Sequence, residues 1–347
     1  MNKVLIKSAI VNHPPPAPPI KGREKQTYGK APDVHKIFEM MLQFKKLYRE
    51  SDLKACKLII VLTMVFLAAS GCKKEDAVIN SDEFLIAASF YPVYIIALNV
   101  AWGIDGVRVV NMTPPFTGCL HDYSVTAGDM KNLENADIFI VNGAGMENFM
   151  DKIAGRYPGL KTAELSEGIR FIKDINGVNP HVWLNTGNAV IMTQNCARFL
   201  SDADGKHADL YKKNAAKYIK ELTDLKEEMR SSLEKFKGEK IITFHEAFPY
   251  FAEEHGLDIA AVVEREPGSE PSARELSGTI NLVRKMKIKN LFAEPQYPSA
   301  SADVIARETG AKVYILDPAV SGDDDKGSYI KIMKKNLSVL VSSFSDK

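Results

Sequence analysis

From Phe84 onward the chain alternates short apolar runs with longer stretches in which apolar residues recur every three or four positions. The short runs are Phe84–Ser89, Val107–Met112, Asp137–Val141, Lys240–Phe244, Ile259–Val263, Asn290–Ala293 and Lys312–Leu316, and each has the length and composition of a strand. The stretches between them read as amphipathic helices, and that alternation predicts an α/β fold. The longest helical stretch runs from about Ala208 to Phe236, where Leu210, Ala215, Tyr218, Ile219, Leu222, Leu225, Met229 and Leu233 recur among many Lys and Glu residues. It divides the rest of the chain nearly in half. The expected architecture is two (β/α) lobes, 84–200 and 238–347, joined by a long backbone helix within 201–237, with any ligand site in the interlobe cleft.

The residues before Phe84 have a different character. Leu58–Ala69 (LIIVLTMVFLAA) is too short to span a bilayer comfortably, follows Lys45, Lys46, Arg49, Lys54 and Lys57, and ends in Ala69-Ser70-Gly71-Cys72. This is the pattern of a secretory signal. Small residues immediately before a cysteine resemble a bacterial lipobox, in which cleavage leaves Cys72 as the lipid-carrying N-terminus. Ala69 stands where that box prefers Leu. Residues 1–71 are therefore read as leader and lipoprotein signal peptide, with Met40 or Met41 as a better translation start, because the charged region before the apolar core is otherwise too long. The Pro-rich stretch His13–Ile20 (HPPPAPPI) cannot form a helix or a central strand. Residues 72–83 read as a polar tether.

A formal net charge of +1 and a pI near 7.6 leave no basic excess for neutralising phosphates, so nucleic acid is not an expected partner. Cysteine is sparse. Cys196 lies in an apolar helical pattern and reads as a buried small hydrophobe, while Cys119, two residues before His121, could ligate a metal or pair with Cys196 outside the cytoplasm.

The chemistry concentrates in three histidine strings: Leu120-His121-Asp122-Tyr123, Asn179-Pro180-His181-Val182-Trp183 and Phe244-His245-Glu246-Ala247-Phe248. In open α/β sheets ligands bind beyond the carboxyl ends of strands. His121 follows one predicted strand through a Pro-rich loop, His245 directly follows another, and Asp317 directly follows the last. His121 and His181 from the first lobe with His245 and Asp317 from the second would make a four-ligand metal site, and neutral imidazole is the commonest side-chain metal ligand. Asp317-Pro318 is equally a turn or capping signal. His207 and His255 lie in helical stretches without a motif and are expected to be exposed. Trp183 and Tyr250 read as packing residues around the cleft.

The strings together resemble the metal-binding lipoproteins of bacterial zinc and manganese ABC importers, and most closely the high-affinity zinc uptake branch. The resemblance is carried by Ser89–Pro92 (SFYP), His121–Tyr123 (HDY), Leu133–Asn142 (LENADIFIVN), Asn179–Leu184 (NPHVWL), Thr243–Phe251 (TFHEAFPYF), Glu270–Ser272 (EPS), Phe292–Gln296 (FAEPQ) and Thr309–Pro318 (TGAKVYILDP). It implies His121, His181 and His245 as metal ligands and Asp317 as the fourth. Glu294, and behind it Glu246, are candidates to orient a ligand histidine by accepting its second ring proton. The implied cargo is Zn²⁺ before Mn²⁺, since imidazole suits zinc and a carboxylate-richer shell suits manganese. The implied partners are an ABC permease and its ATPase, and the implied form is a monomeric extracytoplasmic lipoprotein held at the membrane by its lipid.

Two departures stand out. Gly143–Pro180 contains no histidine, whereas several zinc relatives carry a His-rich loop there, and Leu120 replaces the acidic residue that precedes the first histidine in some of them. The alternatives are a Mn²⁺ or Fe²⁺ importer component, a zinc hydrolase and a surface adhesin. A zincin helix needs a second histidine four residues after His245, and Pro249 stands there.

Overall fold

Each half of the protein builds a four-stranded parallel sheet with the same strand order. The computed structural model describes residues 83–113, 120, 123–149, 156–174, 177–263, 271–296 and 300–346. In the first lobe β1 (Phe84–Ala88), β2 (Val107–Asn111), β3 (Ile138–Val141) and β4 (Lys161–Glu164) lie in the order β2-β1-β3-β4. A two-residue hairpin, β5 (Lys173–Asp174) with β6 (Gly177–Val178), follows. In the second lobe β7 (Lys240–Thr243), β8 (Asp258–Val262), β9 (Asn290–Ala293) and β10 (Lys312–Ile315) lie in the order β10-β9-β7-β8. Counted from the first strand of each lobe, both orders are 2-1-3-4. Both sheets therefore reverse direction between their first and third strands, and that reversal opens a crevice at the strands' carboxyl ends.

The helices among the described residues are α1 (Tyr91–Ala101), α2 (Ala127–Glu134), α3 (Thr186–Ala203), α4 (Ala208–Leu233), α5 (Pro249–His255), α6 (Ala273–Met286), α7 (Ala300–Thr309) and α8 (Ser328–Ser345). The expected linking helix is α4, extended by a 3-10 turn to Phe236. It packs on α1 and α3 from the first half and on α5 and α8 from the second. Its buried face is Tyr211, Ala215, Tyr218, Leu222, Leu225, Met229 and Leu233, in steps of four and three residues that alternate as far as Met229. Leu210, expected on that face, is exposed, and Tyr211 takes the inner position instead. No helix among the described residues is long and apolar enough to cross a membrane.

Alternation along β7 and β9 separates two cores, as a period-two strand requires. Ile241 and Phe292 face a large core that also takes in the first sheet and α4, whereas Ile242, Leu291 and Ala293 face a smaller one under α6 and α7. Cys196 is a free thiol within the large core, pushed well up by burial. Residues 1–82, including the signal, Cys72 and most of the tether, lie outside the described residues, as do Cys119, His121 and Asp122.

His255 corrects an expectation. It is buried at the end of α5, its ring 4.6 Å from that of Phe251, with neither ring nitrogen in a hydrogen bond. His207 is also not exposed, because Asp204 accepts from its Nδ1 at 2.6 Å. Burial holds His255 below its ordinary 6.5; Glu254 pulls it up and Lys226 pushes it further down. The folded state therefore resists protonating this ring while the unfolded chain accepts the proton, so stability is lost as pH falls through about 6.5. His255→Phe should make the thermal midpoint of the metal-free protein fall less steeply between pH 7.5 and 5.5. An unchanged slope would remove His255 as a source of acid sensitivity.

Candidate metal centre

The crevice of the second sheet holds a histidine and a carboxylate. His245 follows β7 by two residues and Glu294 directly follows β9, so the two flank the switch point. Glu294 Oε1 lies 2.9 Å from His245 Nδ1, and both side chains are almost fully buried. A carboxylate at Nδ1 places the ring proton there and leaves the lone pair on Nε2, which is the ligand form of imidazole. Glu294 thus makes the contact that an orienting carboxylate would make.

The corresponding crevice of the first sheet is closed by Glu147. Its Oε1 accepts from Ser89 Oγ after β1 and from Asn142 N after β3, each at 2.8 Å, and its Oε2 accepts from Gly143 N at 3.0 Å. Burial pushes this carboxyl up to about 7 against the pull of those donors. Gly143, with φ of 78°, has no room for a Cβ, which would meet Ser166 Oγ at 2.7 Å. Asn142 Nδ2 donates to Pro180 O at 3.0 Å, so the end of β3 supports the backbone just before His181.

His181 is as buried as His245, and its Nδ1 lies 3.1 Å from Asn179 Oδ1. The amide orientation of Asn179 is set by Nδ2, which donates to Glu246 O at 2.8 Å and so turns Oδ1 toward the ring. His181 therefore also carries its proton on Nδ1 and its lone pair on Nε2. The two imidazoles stand edge to face with centroids 4.7 Å apart. A histidine from the end of each lobe's core segment is thus brought to one point in the same tautomer.

The remaining expected residues are placed as follows. Asp317 lies two residues beyond β10; its backbone N–H donates to Asn336 Oδ1 on α8 at 2.9 Å, and its Oδ1 accepts from Ala319 N at 2.9 Å. Burial pushes its carboxyl up, while Ala319 N–H, Gln296 and Lys335 draw it back. Trp183 Nε1 donates to Pro318 O at 2.8 Å and its ring lies 5.3 Å from that of His181, which ties the Asp317 loop to the His181 segment. Among the described residues, no group of three His, Cys, Asp or Glu side chains is arranged to hold a metal. Of the expected ligands among the described residues, His181 and His245 are the two whose side chains are in contact. Glu246 enters through its carbonyl, as the acceptor for Asn179.

Asn179, Asn142 and Glu147 were not read from the sequence as parts of the site. Asn179 stands two residues before a motif histidine, and that spacing is the signal that could have found it. The supporting carboxylate makes a direct test. Glu294→Ala should weaken zinc binding by about 10- to 100-fold through loss of His245 orientation and basicity. Competition against a chromophoric chelator measures this, and unchanged affinity would detach Glu294 from the site.

Two α/β lobes joined by a long helix, with ligand-form imidazoles meeting between the sheet ends, define a solute-binding protein built for a metal ion. The chain belongs to the family described as zinc-uptake complex component A, periplasmic (ZnuA), which it matches over residues 86–343. It is 28% identical over 311 residues to the high-affinity zinc uptake system protein ZnuA of Bacillus subtilis, covering 82% of this chain and 96% of that protein. It resembles the structure of the solute-binding protein FpvC of Pseudomonas aeruginosa in complex with Mn²⁺, with a TM-score of 0.70 and 30% identity over 76% of this chain and 99% of that one. It also resembles Zn(II)-bound AdcA of Streptococcus pneumoniae, with a TM-score of 0.67 and 28% identity over 75% of this chain, which spans 57% of that longer protein.

Proposed function

We propose that this protein captures a divalent transition metal, Zn²⁺ in the first place, outside the cytoplasmic membrane and delivers it to the permease and ATPase of an ABC importer. The observation that carries this is the meeting of His181 and His245 with both Nδ1 atoms held by oxygen acceptors. Two neutral imidazoles favour zinc over the harder Mn²⁺. The full ligand set in this reading is His121, His181, His245 and Asp317, within lobes 84–200 and 238–347 on either side of the connecting segment 201–237. The run Leu67–Cys72 (LAASGC) supports lipidation at Cys72 and a tether to residue 83.

The reading involves no covalent chemistry. Pro249 occupies the first turn of α5, so His245 precedes that helix rather than lying on it. The zincin geometry, with two histidines and a glutamate on one helical face, is not available from this segment.

Equilibrium dialysis of chelator-stripped protein should give uptake of one Zn²⁺ per chain, with Mn²⁺ competing weakly. Because imidazole binds a metal ion only when neutral, affinity should fall on acidification. Absence of uptake at micromolar zinc, or affinity independent of pH between 5 and 8, would overturn the assignment.

A further inference from the structure

The segments that carry the two histidines are joined by a polar seam that ends on Glu254. Asn179 Nδ2 donates to Glu246 O at 2.8 Å, Tyr250 Oη donates to Asn179 O at 2.8 Å, and Ile172 N donates to Tyr250 Oη at 2.9 Å. Five residues beyond His181 begins α3. Its N-cap Asn185 accepts from Asn188 N at 2.9 Å, which leaves the amides of Thr186 and Gly187 without a partner inside the helix. Glu254, from the far end of the helix that follows His245, supplies both. Its Oε2 accepts from Thr186 N at 2.7 Å, and its Oε1 accepts from Thr186 Oγ1 at 2.8 Å and Gly187 N at 3.0 Å. The carboxylate is 8% exposed, with Lys226 Nζ of α4 at 3.9 Å and His255 Nε2 at 3.7 Å.

We propose that Glu254 is a positioning residue for metal capture: by capping α3 across the lobe boundary it holds the His181 segment against the His245 segment and restrains the separation that releases the ion. A carboxylate placed on open helix amides makes charge-assisted bonds and meets the positive end of the helix dipole. Breaking that contact loosens the first turn of α3 and the short segment that links it to His181, while the packing of α3 on α4 and the sheets beneath remain intact. The cost of bringing two ligand segments together is met in the fold, before the metal arrives. The proposal rests on the metal-binding reading above and names a residue outside the ligand set.

Glu254→Gln, Glu254→Asp and Tyr250→Phe would be compared with the parent for Zn²⁺ affinity and for association and dissociation rates with Zn²⁺ alone, together with the thermal midpoint of each metal-free protein. Arg170→Ala, which removes an exposed ion pair with Glu253 across the same boundary, serves as the control expected to match the parent. The expected result is a dissociation rate raised about tenfold in Glu254→Gln with the association rate little changed, a smaller rise in Glu254→Asp, and a rise in Tyr250→Phe. A lowered midpoint with parental dissociation rates would make Glu254 a structural cap only and overturn the proposal. If Glu254→Gln does not fold, parental rates in both Glu254→Asp and Tyr250→Phe overturn it equally. No zinc uptake by the parent would overturn the metal-binding reading itself, an outcome distinct from zinc-binding parent and variants that release it alike.

Discussion

Zinc affinity should fall by about a hundredfold or more in His181→Ala and in His245→Ala, and by less in Asp317→Ala. Small zinc sites bind with about 10–16 kcal/mol shared among about four ligands, so one lost donor costs on the order of 3 kcal/mol. The two imidazoles are buried and already hold the ligand tautomer, so their loss also discards the orientation supplied by Asn179 and Glu294. Asp317 is less committed, because its Oδ1 already accepts from Ala319 N. Chelator competition on the single variants decides the order, and thermal midpoints with and without Zn²⁺ give a second readout, since a ligand bound only by the folded state raises its stability. Parental affinity in either histidine variant would remove that residue from the shell. Parental affinity in Asp317→Ala would leave an open coordination position and revive the hydrolase alternative.

Leu222→Ala should destabilise the metal-free protein by about 2–5 kcal/mol. Leu222 lies midway along the buried face of α4 and is fully enclosed. Removing its branched end leaves a void among side chains that are fixed from both halves of the molecule, which limits relaxation. Denaturant unfolding monitored by far-UV circular dichroism measures the loss. A change below about 1 kcal/mol would mean that the helix face repacks freely, contrary to a single core continuous with both lobes.

The main strands and the connecting helix were legible because their apolar residues are sequential or strictly periodic. Strand β4 was not: in Lys161–Glu164 only Ala163 is buried, so the edge strand carries no apolar pattern. The exchange of Leu210 for Tyr211 has a related cause. Leu is the more apolar residue, but Tyr211 lies in phase with Ala215 and Tyr218, and its hydroxyl reaches Asp204 at 2.8 Å. The contacts of His245 with His181 and Glu294 follow residues that the motif strings had singled out, His245 also by its place after a strand. His121 was named on the same grounds and lies outside the described residues. His255 was expected to be exposed in a helical stretch without a motif, and Glu254 beside it drew no expectation, because spacing along a chain does not reveal which second element will cover a helix. Asn179 carried a signal in its place two residues before a motif histidine, but its role depends on which way its amide is turned, and that no sequence shows.

The seam of α4 has a consequence for hydrogen exchange. Its apolar face belongs to a core that reaches from Ile86 in the first sheet to Phe292 in the second. The central amides of α4 therefore exchange only through an opening large enough to disrupt both sheets' support, the slowest class of opening in a folded protein. A cargo ion that joins the two lobes raises the free energy of that opening. Protection should thus rise along α4 on metal binding, although none of the residues proposed to touch the metal lies on that helix.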